Sequence, residues 1–152
     1  GTLTRAMFVT MLAGLAGVDE ADYPGSTFSD VSVGQWYAPS VAWAASEGIV
    51  SGTGDGRFEP NRNITRQEMA QIMAGYLAWK GVDTHPTADP SAYNIPDRAD
   101  IAPWALDSVC FCYEKGLLSG GDHGFAPLDN ATRAQACVVL CGLNDFLRKT
   151  EG

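Results

Sequence analysis

Three arginines occupy the same position in three short repeated motifs, and their chemistry suits the binding of an anion. Arg5, Arg66 and Arg133 each follow a threonine at the start of a segment with helical spacing of apolar residues. A cation beside a helix N-terminus costs roughly 0.3–1 kcal/mol, and this cost recurs at all three sites. A guanidinium beside free backbone N–H groups suits a carboxylate or a phosphate. The arginines therefore either bind such an anion or pair with a carboxylate of a neighbouring repeat.

The composition excludes several classes of partner. The 152 residues are 45% hydrophobic and carry a net charge of −8, which predicts one folded domain over residues 1–152 and no nucleic-acid partner. No stretch reaches the roughly 20 apolar residues of a membrane span, so membrane insertion is not expected. Because the overall field is negative, local arginines have to hold any anionic ligand.

Two long repeats organise the rest of the chain. The first runs through Phe28-Ser29-Asp30, Trp36, Gly48-Ile49-Val50-Ser51-Gly52, Phe58-Glu59-Pro60 and Thr65-Arg66, and the second through Ile95-Pro96-Asp97, Trp104, Gly116-Leu117-Leu118-Ser119-Gly120, Phe125-Ala126-Pro127 and Thr132-Arg133. Corresponding residues lie 67 or 68 positions apart. The opening segment matches only the last part of such a repeat, which suggests that residues upstream were removed. We expect repeat units at 1–20, 28–80 and 95–147, joined by linkers at 21–27 and 81–94.

Each complete repeat is predicted to form a helix, a glycine turn, a short extended piece and a second helix. The first helices are expected over 38–47 and 103–115, because apolar residues follow helical spacing there and a glycine stops each one. Each second helix begins at its Thr-Arg pair, with threonine as the N-cap. Thr65 with Glu68, and Thr132 with Gln135, have the spacing of a capping box.

The aspartates and tryptophans of the repeats each have two interpretations. Asp30 and Asp97 either cap the turn or helix that follows them or contact a ligand. Trp36 and Trp104 either pack in the core or present a ring face to a ligand.

The four cysteines lie in the last third of the chain, at Cys110, Cys112, Cys137 and Cys141. Their spacing is awkward for a metal held by four thiolates, because Cys110 and Cys112 point to nearly opposite sides of a helix. Free thiols, one disulfide between helices, and a metal site remain the alternatives. We expect no metal and no cofactor. No motif brings two carboxylates together as a hydrolase requires, so no catalytic residue is assigned.

The order F-x-D, Trp, G-[IL]-[VL]-S-G, F-x-P and T-R resembles the S-layer homology domain of bacterial cell-surface proteins. The resemblance covers nearly the whole chain, as two complete motifs and the last part of a preceding one. The family's second-helix signature is T-R-A-E. Thr-Arg is present in all three copies here, whereas the final glutamate is present only in the copy that contains Glu68.

The resemblance implies an all-α, pseudo-threefold domain in which second helices form a central three-helix bundle. First helices and loops would form three prongs, the first of them incomplete. Grooves between prongs would bind an anionic, pyruvylated secondary cell-wall polysaccharide and so anchor a larger surface protein to the bacterial cell wall. The expected location is extracellular, at the cell surface or S-layer, with no enzymatic activity. The alternatives are an assembly module with arginines in ion pairs and, from a third class, a glycan-processing enzyme.

The resemblance also assigns ligand-binding residues. They are Arg5, Asp30, Trp36, Gly48, Ser51, Gly52, Arg66, Asp97, Trp104, Gly116, Ser119, Gly120 and Arg133. The two sites expected to be complete are those where the arginine of one repeat meets the aspartate and tryptophan of the next. Arg133 has no following repeat in this sequence.

Overall fold

The computed structural model describes residues 1–25, 27–120 and 124–151, and this part of the chain is helical. The helices are α1 (Arg5–Ala16), α2 (Ala38–Ser46), α3 (Arg66–Trp79), α4 (Leu106–Glu114) and α5 (Arg133–Glu151), with short 3-10 helices at Glu20–Asp22, Pro90–Ala92, Arg98–Asp100 and Pro103–Ala105. Within these ranges extended pairing is limited to isolated bridges. The predicted all-α class is therefore confirmed, whereas the pseudo-threefold arrangement stays a prediction.

The threonine caps predicted from the sequence are present. Thr65 accepts a hydrogen bond from the Glu68 N–H, and the Glu68 carboxylate accepts one from the Thr65 N–H. In α1 the Thr4 N–H donates instead to the sulfur of Met7, over 3.5 Å. The thioether thus takes the position of the family's carboxylate as a weaker acceptor.

Contacts divide the chain into two compact units, Gly1–Ile64 and Thr65–Gly152. The boundary falls immediately before a Thr-Arg pair, so it does not follow the sequence repeats. Each unit combines the second helix of one repeat with the first helix and F-x-P segment of the next.

In the first unit, α1 packs against α2. Phe8, Leu12, Trp43 and Phe58 are completely or almost completely buried and supply much of its apolar core. The hydroxyl of Tyr23 donates to Glu47 Oε1 over 3.1 Å and holds the linker against the C-terminal end of α2.

In the second unit, α3 packs against both α4 and α5. The linker is fastened to this unit at Glu114, in the last turn of α4. Its Oε1 atom accepts hydrogen bonds from the Thr87 N–H, the Thr87 hydroxyl and the Tyr93 hydroxyl. Glu47, the C-cap of α2, and Glu114, the last residue of α4, both lie at the C-terminal end of a first helix, so the two linkers are tied to neighbouring positions of their repeats.

Candidate functional site

The arginines that begin α1 and α3 are buried beside a phenylalanine of the next repeat. The Nε of Arg5 donates to the Phe58 carbonyl over 2.9 Å, and the Nε of Arg66 donates to the Phe125 carbonyl over 2.8 Å. Each guanidinium also lies over the ring of that phenylalanine, at 4.6 and 4.8 Å from its centre. A carbonyl bond and a cation–π contact both stabilise the charge where water is scarce. Burial nevertheless lowers the pKa of Arg66 below its usual value, and Asp129 and Asp97 partly oppose this shift.

The N–H groups at the start of α1 and α3 are already bonded, so the expectation of free donors there was wrong. The first two N–H groups of α1 donate to the carbonyls of Arg62 and Pro60. Those of α3 donate to the carbonyls of Asp129 and Pro127. The extended piece after each phenylalanine fills the place that an anion would take. Any anion at these sites must therefore be bound by the guanidinium.

Asp30 and Asp97 organise the F-x-P segments. The two oxygens of Asp97 accept the N–H groups of Phe125 and Ala126, and those of Asp30 accept the N–H groups of Phe58 and Glu59, all over 2.8 Å. Burial acts to raise the pKa of Asp30, but the two backbone donors outweigh it, and the pKa lies below its ordinary value. Each aspartate thus holds a segment about 28 residues further along the chain. Asp97 does not cap the short helix Arg98–Asp100 that follows it.

The residue after each phenylalanine has a left-handed backbone, with φ of 58° at Glu59 and 57° at Ala126. This conformation is uncommon for residues other than glycine. The aspartate that accepts the N–H of this residue holds it in place. The arginine binds the phenylalanine carbonyl of the same peptide group, so the arginine and the aspartate hold opposite sides of one peptide.

The second glycine turn places a backbone carbonyl beside Arg66. Gly48 and Gly116 have φ of 74° and 71°, which ends α2 and α4 in the way predicted for a helix-stopping glycine. A Cβ at Gly52 would come within 2.6 Å of the Arg57 carbonyl oxygen, and one at Gly120 equally close to the Gly124 carbonyl oxygen. The Ser119 carbonyl accepts a 2.7 Å hydrogen bond from Arg66 Nη2. The turn and the arginine therefore form one bonded unit.

A cavity of about 380 Å³ opens beside Arg66 in the second unit. Its walls are Arg66 at the start of α3, the turn Gly116, Leu117, Leu118 and Ser119, and Ala134, Gln135, Val138 and Val139 of α5. It brings together three predicted ligand residues, Arg66, Gly116 and Ser119. Two N–H groups of the guanidinium are used by Phe125 and Ser119, and within the described residues the others are left for a ligand.

The tryptophans of the repeats lie outside that cavity and outside the core. Trp36 is 58% exposed and Trp104 is 53% exposed. Trp36 meets Tyr37 edge to face, with ring centres 5.1 Å apart. Packing thus accounts for less than half of either side chain, and the ring-platform interpretation is the one that fits their exposure.

The other predicted ligand residues are less closely assembled. Ser51 and Gly52 are exposed in the turn after α2, and Arg133 is exposed at the start of α5, unlike the two buried arginines. Sequence reasoning missed the phenylalanine partners of the arginines and the valines of α5 in the cavity wall. The repeated F-x-P pattern was a signal for the phenylalanine partners. The sequence held no signal for the valines, since an apolar residue in a helix predicts core packing.

The cysteines are free thiols in the structure. Cys110 and Cys112 are buried, whereas Cys137 and Cys141 are exposed on α5. Burial raises the pKa of Cys112 to about 12. Across the described ranges no group of three or more potential metal-ligating side chains comes together. A search of the same ranges finds no helix with the length and apolar character to cross a bilayer.

Comparisons with known proteins single out the repeats. The S-layer homology domain family matches residues 27–70 and 94–137. An amylopullulanase of Thermoanaerobacterium thermosulfurigenes and the exoglucanase XynX of Acetivibrio thermocellus are each 35% identical over 93% of this chain, and the S-layer protein sap of Bacillus anthracis is 32% identical over 91%. The chain spans only 8%, 13% and 16% of those proteins, respectively.

Proposed function

Because the chain belongs to the S-layer homology domain family, we propose that it is a non-catalytic module that anchors a larger protein to the cell wall. Its ligand would be an anionic secondary cell-wall polysaccharide that bears pyruvate ketals. The family is found in S-layer and other surface proteins, so its place is the bacterial cell surface.

The variety of relatives supports a role separate from catalysis. Proteins named for starch, glucan or S-layer functions all share this segment, although it makes up a small part of each. A segment common to proteins of different activities is expected to supply something that they all need. Attachment to the wall is such a requirement.

The observation that carries the proposal is the cavity beside Arg66. A ketal-pyruvate offers a carboxylate and a methyl group on a sugar ring. The guanidinium suits the carboxylate, the valine and leucine walls suit the methyl group, and the turn carbonyls suit sugar hydroxyls. The net charge of −8 makes general attraction of a polyanion unfavourable, so local recognition by this arginine is needed.

The ion-pair alternative is supported less well at Arg66, because Asp129 and Asp97 act on its pKa without forming a salt bridge to it within the described residues. Its hydrogen bonds go to the carbonyls of Phe125 and Ser119 and not to carboxylates. This arrangement holds the guanidinium in place without neutralising its charge. The charge therefore stays available to an anionic ligand.

Capture by purified wall sacculi tests the function. Sacculi that retain the pyruvylated polymer should capture the chain, and sacculi stripped of the polymer should not. Sacculi from which mild acid has removed only the ketal groups should capture it weakly, because the carboxylate is lost. Equal capture by intact and stripped sacculi would show that the proposal is wrong.

A substitution in the cavity wall tests the site without disturbing the fold. Arg66→Ala is unsuitable alone, because loss of its two hydrogen bonds and its ring contact is expected to destabilise the unit. Val138 is 72% exposed and lines the cavity, so Val138→Glu would place a carboxylate next to Arg66. We expect capture to weaken by at least about tenfold, with an unchanged melting temperature.

Val33→Glu is the matched control, because Val33 is 78% exposed and lies in the other unit. It should leave capture by intact sacculi unchanged. If both substitutions weakened capture equally, added negative charge would be the cause and the cavity would not be the binding site.

A further inference from the structure

A second cavity, of about 240 Å³, opens in the second unit beside the turn that carries Ser119. Gly120 lines it, whereas Ser119, the residue before, lines the cavity beside Arg66. The other walls are Asn94, Ile95, Pro96, Tyr113, Gly124 and Phe125. Sites for drug-sized ligands begin at about 300 Å³, so this cavity suits a group no larger than a single sugar ring.

The corresponding place in the first repeat is filled by a phenylalanine ring. Phe28 is the counterpart of Ile95, and a Cβ on Gly52 would come within 2.9 Å of the Phe28 ring. At Gly120, the counterpart of Gly52, the three atoms nearest to such a Cβ are backbone atoms of residues 124 and 125. The isoleucine therefore leaves open a space that the phenylalanine occupies.

The second repeat adds an aromatic wall to the space that it opens. Tyr113 lies three residues before the glycine that ends its helix, where the first repeat has Ala45. Its ring meets that of Tyr93 edge to face, with centres 6.1 Å apart, and such a ring packs well against the C–H groups of a pyranose. The Tyr113 hydroxyl and the Asn94 amide can exchange hydrogen bonds with sugar hydroxyls. Across the described ranges neither of these two groups has a hydrogen-bond partner.

The surroundings of this cavity favour a neutral ligand. Among the lining residues that the structure describes, none carries a charge. The Asp97 carboxylate lies close by, because a Cβ on Gly124 would collide with its Oδ1 atom. A carboxylate beside an uncharged wall repels an anion. The cavity thus differs in chemistry from the one beside Arg66.

We propose that this second cavity binds a neutral pyranose unit of the wall polysaccharide, adjacent in the polymer to the ketal-bearing unit at Arg66. The inference rests on the proposed function for the identity of the polymer. Consecutive residues line the two cavities, so we assign them to neighbouring units of one polymer. The arginine then selects for the ketal, and the second cavity selects among ketal-bearing polymers by the neighbouring sugar.

Titration of the unmodified chain with free monosaccharides tests the site directly. The probes are glucose, galactose, mannose and their 2-acetamido forms, followed by NMR of the Asn94 side-chain amide and the Tyr113 ring. We expect saturable shifts with at least one of these sugars and a Kd of about 1–10 mM. The methyl groups of Val138, in the cavity beside Arg66, should not shift. No saturable shift with any sugar at about 50 mM, or shifts confined to Val138, would overturn the proposal.

Filling the cavity tests its part in wall attachment. Ile95→Phe supplies the residue type that the first repeat has at this position, so the chain should fold with an unchanged or higher melting temperature. It should abolish the sugar-induced shifts and weaken capture by intact sacculi about tenfold. Leu128→Phe is the matched control, because it adds the same ring at a 61% exposed position of the second unit, outside the cavity walls. It should change neither measurement.

A smaller change keeps the test informative if the added phenylalanine disturbs the unit. Tyr113→Phe removes only a hydroxyl and should weaken monosaccharide binding about fivefold, because one hydrogen bond is lost. Its melting temperature should match that of the unmodified chain. Unchanged sugar binding in both Tyr113→Phe and Ile95→Phe would show that the sugar binds elsewhere.

The outcomes separate this inference from the proposed function. Equal capture of the unmodified chain and Ile95→Phe by intact sacculi, with no sugar-induced shift, would contradict the second cavity alone. Sugar-induced shifts at Asn94 and Tyr113, together with equal capture by intact and stripped sacculi, would support the sugar site and contradict wall anchoring.

Discussion

At the scale of single residues, the site depends on how a few side chains bind backbone groups of a neighbouring repeat. Arg66 is attached to the Phe125 carbonyl and the Ser119 carbonyl, while Asp97 is attached to the N–H groups on either side of the Phe125 carbonyl. The aspartate therefore acts by shaping the segment that the arginine binds. Contact between Asp97 and a ligand stays a prediction.

The role of Asp97 is tested by Asp97→Asn. An amide has one acceptor oxygen where the carboxylate has two, so one buried N–H of the Phe125–Ala126 segment is left without its partner. We expect the free energy of unfolding in urea to fall by about 1–3 kcal/mol.

Asp100→Asn is the control for that measurement, because Asp100 is an exposed carboxylate in the short helix that follows. It should change the free energy of unfolding by no more than about 0.5 kcal/mol. Unchanged stability of Asp97→Asn together with lost polymer capture would instead make Asp97 a direct ligand contact.

At the scale of elements, the linkers are tied to the last turn of each first helix. The carboxylate of Glu114 is the acceptor for Thr87 and Tyr93, and Glu47 is the acceptor for Tyr23. The turn after Glu114 leads to the Ser119 carbonyl, which accepts a hydrogen bond from Arg66. Hydrogen bonds from the linker to Glu114 therefore restrain both the linker and the turn that follows.

The Glu114 attachment predicts a particular dependence of stability on pH. Hydrogen bonds from the Thr87 and Tyr93 hydroxyls and the Thr87 N–H lower the pKa of Glu114 from 4.5 to about 2. Because the folded state binds this proton less tightly than the unfolded state, the carboxylate stabilises the fold above pH 4.5. That stabilisation is lost as pH falls from 4.5 towards about 2.

Urea unfolding across this pH range should therefore show a smaller loss of stability in Glu114→Gln than in the unmodified chain. Asp107→Asn, an exposed substitution on the same helix, should keep the loss seen in the unmodified chain. An identical pH dependence in Glu114→Gln and the unmodified chain would exclude Glu114 as its source.

At the scale of the whole molecule, the boundary between the compact units does not coincide with a boundary between sequence repeats. The boundary at Ile64 and Thr65 keeps α3 with α4 and α5 and leaves the first two helices together. The reason is visible in the contacts: Arg5 at the start of α1 and Arg66 at the start of α3 each bind the F-x-P segment of the next repeat. A repeat cut out by its sequence boundaries would lose these contacts.

This difference predicts which fragments fold. A fragment of residues 65–152 retains α3 with Arg66 and the Phe125 segment, so it should be helical and unfold cooperatively in urea. A fragment of residues 95–147, one repeat by sequence, lacks α3 and leaves the apolar side of α4 exposed. Circular dichroism should show it largely unfolded, and cooperative unfolding of that shorter fragment alone would contradict the importance of α3.

The sequence by itself determined the helices, their threonine caps, the glycines that stop them and the family. These features depend on local spacing and backbone preference, which are legible in a single chain, as at Thr65, Glu68 and Gly116. The tertiary structure alone decided the roles of the side chains between them. Asp97 holds backbone groups distant in sequence, Trp104 is exposed, and the N–H groups of α3 are occupied, because these outcomes depend on which segments meet in space.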